Sequence, residues 1–201
     1  MTQAVVFDLW DTVAAWPHDD SGQAQLVEAV GLTPEGWSAV EQRDRRWTGS
    51  FEAYLGSLGL DSAAVTRARE LRTEITCRAL VPVEGALPLL DALRARNLLL
   101  GLISNCSSEV GELWDASPFA HRFDAVVLSA IEGVCKPDPR IYRLALDRLG
   151  VEAGDAIFVG DGEAEELPGA EGVGMRAVQL GTREGWSGET IASLEELLAL
   201  L

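Results

Sequence analysis

The sequence predicts an α/β fold, a Rossmann-like doubly wound parallel sheet carrying a small all-helical insertion. Three observations predict it. Five short apolar runs lack polar alternation, the pattern of strands covered by helices on both faces. Helical patterns separate most of these runs. Residues 16–80 break that rhythm and offer helix signals without a strand candidate.

Ala4–Phe7 reads as the first strand. In the insertion, Thr33-Pro34 marks a helix start, followed by Trp37, Val40, Asp44 and Trp47 at helical spacing. Ala64, Ala68, Leu71, Ile75 and Ala79 mark one face of another helix. The chain returns near Pro82, so residues 15–80 are expected to form a cap and residues 1–14 and 81–201 the α/β core. Residues 86–96, with Leu87, Leu90 and Leu93, form a helix leading into the strand 98–103. After the strand 125–128, residues 139–149 form a helix with Asp138 as N-cap, Pro139 at the first position and Gly150 at its close. The strand 156–159 precedes a helix that must start near residues 165–167, because Pro168 is tolerated only in a first turn. The strand 176–180 ends the pattern.

Composition narrows the function. A chain of 201 residues, 47% hydrophobic, suffices for one core plus a modest insertion. Sixteen basic against thirty-two acidic residues give a formal charge of -16, which argues against nucleic-acid and anionic-membrane partners. No apolar run reaches the ~20 residues of a membrane span, and MTQAVVFDLW lacks the features of a signal peptide. Three widely spaced cysteines make no disulfide framework and fit a reducing compartment, so a cytoplasmic setting is expected; a monomer or homodimer is expected, with no sequence feature choosing between them. The two histidines, His18 and His121, exclude an HExxH zinc site and read as surface residues, and no GxxxxGK[ST] loop occurs. Cys106 and Cys135 read as small, half-buried structural residues, and Arg43, Arg45, Arg46 and Trp47 either form a solvated helix face or reach an anionic or aromatic substrate group. Lys136 is the only lysine among sixteen basic residues.

Ligands of parallel α/β sheets bind at the carboxyl ends of the strands, where the strand order reverses. Asp8 follows the first strand, Ser104 and Asn105 the second, and a loop to Lys136 the third. Asp161 follows the fourth, ahead of Glu163, Glu165 and Glu166. Carboxylates at neighbouring strand ends repel unless they share a cation, and oxygen ligands point to a hard ion such as Mg²⁺. A carboxylate, a hydroxyl, an amide and an ammonium around Mg²⁺ would suit a small phosphorylated substrate.

The segments 7–13, 103–105, 136 and 159–175, in this order with a helical insertion after the first, resemble the haloacid dehalogenase superfamily of hydrolases. The resemblance implies that Asp8 is a nucleophile forming an aspartyl intermediate. Ser104 and Asn105 would bind the transferring group, and Lys136 would neutralise nucleophile and phosphate. Mg²⁺ would be held by Asp8, the Trp10 carbonyl, Asp161 and Glu166, the last standing where many relatives have a second Asp. The departure is Trp10, which occupies the position of the aspartate that protonates the leaving group in phosphatases of the family. Indole cannot transfer that proton. Asp11 either replaces it as a catalytic acid or is a turn residue bonding its own backbone. Trp10, with Trp16, could instead wall an apolar substrate pocket. Mg-dependent phosphate-ester hydrolysis is the expected activity; the alternatives are a metal-independent 2-haloacid dehalogenase and a catalytically impaired binding protein.

Overall fold

The structure is a computed structural model and describes residues 2–16 and 20–201. His18 lies outside the described residues. The sheet has six parallel strands in the order β3-β2-β1-β4-β5-β6: β1 Ala4–Phe7, β2 Leu99–Ser104, β3 Ala125–Leu128, β4 Ala156–Gly160, β5 Arg176–Leu180 and β6 Glu189–Ile191. Five correspond to the apolar runs. β6 is an addition, three residues long, aligned on β5 from Val178↔Glu189 to Leu180↔Ile191. One short polar-flanked segment gives no periodicity to read.

Alternate residues of β1 feed two cores, as covered strands require. Val5 and Phe7 pack with α5 (Ala86–Ala95) and the C-terminal 3₁₀ segment Leu194–Ala199. Ala4 and Val6 pack with α8 (Pro139–Leu149) and α9 (Glu166–Gly172) on the other face. The N-cap and stop signals of α8 operate as the sequence implies: Asp138 accepts the Arg140 N–H, and Gly150 is left-handed at φ 69°.

Four helices occupy the insertion: α1 Asp20–Val30, α2 Pro34–Asp44, α3 Phe51–Ser57 and α4 Ser62–Ala79. Side chains of Thr33, Ser50 and Asp61 accept backbone N–H groups at the starts of α2, α3 and α4. They enclose a separate apolar cluster including Leu26, Trp37, Phe51, Leu55, Leu71 and Ile75. Two adjacent connections tie this unit to the sheet: Ala14 bridges Pro82, and the Val83 N–H donates to Val13 O at 3.0 Å. α6 (Ser108–Leu113) follows β2 and α7 (Ser129–Glu132) follows β3. Among the described residues, no helix is long and apolar enough to cross a membrane.

Candidate active site

β1 lies between β2 and β4, with Phe7 in register with Leu102 and Val159. The next residue, Asp8, therefore emerges where the strand order reverses, beside the tip of β4. Its backbone N–H donates to Val159 O at 2.8 Å. Lys136 Nζ contacts Asp8 Oδ1 and lies 2.6 Å from Glu166 Oε2. Ligand atoms of Asp8, Asp161 and Glu166 fall within 4.8 Å of one another. Residues from β1, the loop before α8, the tip of β4 and the first turn of α9 thus meet in one place.

Local devices hold each member. Asn105 grips the Lys136 backbone from both sides: its Oδ1 accepts the Lys136 N–H at 2.8 Å and its Nδ2 donates to Lys136 O at 3.1 Å. The sequence placed Asn105 among the substrate-binding residues; in the structure its hydrogen bonds set the height of the lysine, and it also lines the space beside Asp8. Glu166 opens α9, its Oε1 accepts the Gly162 N–H at 3.0 Å, and Tyr142 Oη donates to its carbonyl at 2.8 Å. Gly160 makes the inward carboxylate possible, because a Cβ there would lie 2.7 Å from the Glu166 carboxyl carbon. Glu163 and Glu165 are exposed, so Glu166 is the member of the acidic cluster that turns inward. Ser104, at the tip of β2, is fully buried, and its Oγ has no hydrogen-bond partner among the described residues. A buried hydroxyl without a partner is costly and calls for an explanation, and Ser104 does not itself line the chamber beside Asp8.

The electrostatics follow from burial. Asp8, Lys136 and Glu166 are 5%, 4% and 1% exposed. Burial, then Glu166, pushes the Asp8 carboxyl above its ordinary range, with Lys136 pulling against them. Burial likewise raises Glu166, opposed by Lys136 and the Gly162 N–H. Burial disfavours the ammonium of Lys136, but Asp8 and Glu166 outweigh it and hold the charge firmly. Arg183 Nη2 pairs with Asp161 Oδ2, whose other oxygen accepts the Glu163 N–H at 3.0 Å. Fully buried Cys106, beside the site, has its thiol pushed up to about 12 by burial and is no nucleophile.

A small chamber is lined by Asp8, Trp10, Arg45, Asn105, Lys136, Glu163, Ala164 and Glu166. It shares Trp10, Arg45, Asn105 and Glu163 with a larger cavity of about 320 Å³ between the sheet edge and the helical unit. Trp10 and Trp16 meet edge to face there, with centroids 5.0 Å apart. Asp11 lines the larger cavity and not the chamber; it sits at φ 54°, and its Oδ1 accepts the Trp16 N–H at 3.2 Å. Of the insertion residues expected either as substrate contacts or as a solvated helix face, Arg45 lines both spaces. Cys106 and Cys135 are fully rather than half buried.

Residues 2–174 match the profile of the haloacid dehalogenase-like hydrolases. The chain belongs to that family. This hydrolase is 35% identical over 139 residues to a phosphoserine phosphatase of Thermus thermophilus, an alignment taking in 66% of the chain and 55% of the relative; the chain thus spans about half that relative's length. It is 31% identical to a phosphoglycolate phosphatase of Rhodospirillum rubrum, over 98% of the chain and 86% of that protein. A solved 2-haloacid dehalogenase of Pseudomonas syringae pv. Tomato superposes with a TM-score of 0.73 at 25% identity, covering 100% of the hydrolase and 98% of that chain.

Sequence reasoning missed three contributors to the hydrolase's site. Gly160 and Tyr142 act only through the position of Glu166, and nothing local in the sequence signals that. Arg183 sits in a glycine-flanked loop after β5, among fourteen other arginines.

Proposed function

We propose that this hydrolase is a divalent-cation-dependent phosphatase of small phosphate esters, with the four-helix unit serving as a cap. The observation that carries the reading is the convergence of Asp8, Asp161 and Glu166 within 4.8 Å, with Lys136 bridging two of them. Three buried carboxylates opposed by Lys136 and Arg183 leave one net negative charge, a donor set that fits a hard divalent ion. Asp8, Asp161, Glu166 and the Trp10 carbonyl would hold Mg²⁺. When bound, Mg²⁺ would shield the phosphate charge from the nucleophile.

Asp8 attacks phosphorus, and the ester oxygen departs with its bonding electrons. Lys136 balances the charge gathered on nucleophile and phosphate, at a height fixed by Asn105. Ser104 Oγ, otherwise without a partner, donates to a phosphoryl oxygen. Water then attacks the phosphorus of the aspartyl phosphate, which frees inorganic phosphate and restores Asp8. Trp10 gives the departing oxygen no proton, so leaving groups stable as anions, such as aryl oxides, suit this site best. The cap and the Trp10–Trp16 wall exclude water around that group. The phosphatases among the relatives support phosphate-ester hydrolysis, but the alkyl esters in their names, phosphoserine and phosphoglycolate, are not the leaving groups that Trp10 favours here.

The Trp10–Trp16 pair and the dehalogenase similarity favour a second reading, halide displacement by the same Asp8. One assay separates them: phosphate release from p-nitrophenyl phosphate with Mg²⁺ or with EDTA, and halide release from 2-chloropropionate, each with an Asp8→Asn control. Phosphate release that needs both Mg²⁺ and Asp8 is expected. Halide release that persists in EDTA, with no phosphate release, would overturn the proposal.

A further inference from the structure

Arg183 holds the carboxylate most remote from Lys136. Its guanidinium pairs with Asp161 Oδ2, yet its side chain is 50% exposed, against 10% for Asp161. The backbone beneath it is pinned: Gln179, itself buried, donates from Nε2 to Arg183 O at 2.9 Å and to Asp161 O at 3.3 Å. Gly181 and Gly185, at φ 82° and 98°, turn the loop on either side. The loop is thus fixed to the site while its long side chain keeps room to move. Other acceptors are at hand, since Glu163 and Asp11 line the same cavity as Arg183 and attract it. Each Asp161 oxygen already accepts one hydrogen bond, from Arg183 or from the Glu163 N–H, so a cation approaching Asp161 meets the guanidinium's charge.

We infer that Arg183 is a positioning residue that competes with the divalent cation for Asp161 and, once displaced, turns into the 320 Å³ cavity beside the substrate's leaving group. The inference rests on the phosphatase reading of this site. It makes metal affinity lower than three buried carboxylates alone would set, and makes loading of the metal deliver a cation to the substrate cavity. Neutralising Arg183 should therefore tighten metal binding while weakening an anionic leaving group's hold.

The test is calorimetric titration of MgCl₂ into the metal-stripped full chain, as wild type, R183Q and R183K, with circular dichroism as the check on folding. R183Q is expected to bind Mg²⁺ roughly three- to tenfold more tightly, the size of a half-exposed ion pair plus one unit charge removed from beside a divalent ion. R183K, which keeps the charge with a poorer reach, should fall between the two. Equal or weaker Mg²⁺ affinity in folded R183Q would overturn the role of Arg183 and leave the phosphatase reading standing. Should R183Q fail to fold, R183K alone decides, and an affinity no higher than wild type refutes the inference. No Mg²⁺ binding by any of the three would overturn the metal reading and this inference with it.

Discussion

Replacing Lys136 by methionine keeps the stem and removes the cation that pairs with both buried carboxylates, Asp8 and Glu166. Asp8, Lys136 and Glu166 are each no more than 5% exposed, so water cannot take over the role of the ammonium. Breaking such a buried pair typically costs about 3–5 kcal/mol. In a chain of this size each kcal/mol moves the melting temperature by about 2–4 °C, so a fall of about 6–20 °C is expected near neutral pH. The sign with pH is fixed by linkage. Without the ammonium, both folded-state carboxyl pKa values rise further above their unfolded values. The folded variant then binds more protons than the unfolded chain, and its stability falls as pH rises through that window. Thermal denaturation in EDTA should therefore show a larger deficit near pH 8 than near pH 5. A deficit under about 2 °C would mean that the lysine does not compensate the pair. An equal deficit at both pH values would mean that the loss is packing rather than charge.

Asp44 is fully buried beside Arg72, and burial, reinforced by Glu109 and Glu41 against the pull of Arg72, pushes its carboxyl up to about 7. Its stabilising protonation is complete below its unfolded pKa near 3.8 and is lost as pH rises to about 7, so Asp44→Asn should flatten the urea midpoint across that range. The effect is bounded by about 4 kcal/mol, since each tenfold gain in proton affinity is worth about 1.4 kcal/mol. Gly160→Ala should cost about 1–3 kcal/mol by displacing Glu166 from Lys136 and the Gly162 N–H, and should weaken Mg²⁺ binding in the same titration; unchanged values would remove Glu166 from the metal site. Trp10→Asp should raise turnover of alkyl phosphates relative to aryl phosphates by about tenfold or more, within the range of about 10²–10⁴ typical of general acids. Equal alkyl and aryl rates in the wild type would instead point to Asp11 as an existing acid.

What was legible in the sequence is what period and position encode. An apolar run followed at once by Asp8, and another followed by Asp161, place two carboxylates at strand tips once the sheet is parallel. Asp44 was equally legible in position, since its spacing from Trp37 and Val40 puts it on the buried face of α2. Its burial was not interpretable without Arg72, which comes from another helix twenty-eight positions on and carries Glu41, Asp44 and, across to α6, Glu109. Register in the sequence favours Glu166 over Glu165, but the reason it turns inward is local and was not legible. Ala164 and Glu165 are both left-handed, at φ 54° and 56°, a conformation that neither residue type advertises. Those two residues lengthen the approach to α9 and turn the second glutamate inward, against a glycine with no side chain to block it.

The same geometry explains why Trp10 can replace an acid without dismantling the site. Among the described residues, the hydrogen bonds and ion pairs that fix Asp8, Lys136, Asp161 and Glu166 come from Val159 of β4, Gly162 and Glu163 after it, Tyr142 of α8, Asn105, Gln179 of β5, Arg183 or the four residues themselves. None comes from the Trp10 side chain, which packs against Trp16 and looks onto the larger cavity. Charge assembly and proton delivery are therefore structurally separable here. On the phosphatase reading, substitution at residue 10 is free to change which leaving groups depart while the proposed charge assembly stays in place, and for that reason the alkyl-to-aryl ratio, rather than total activity, is the quantity that reports on this position.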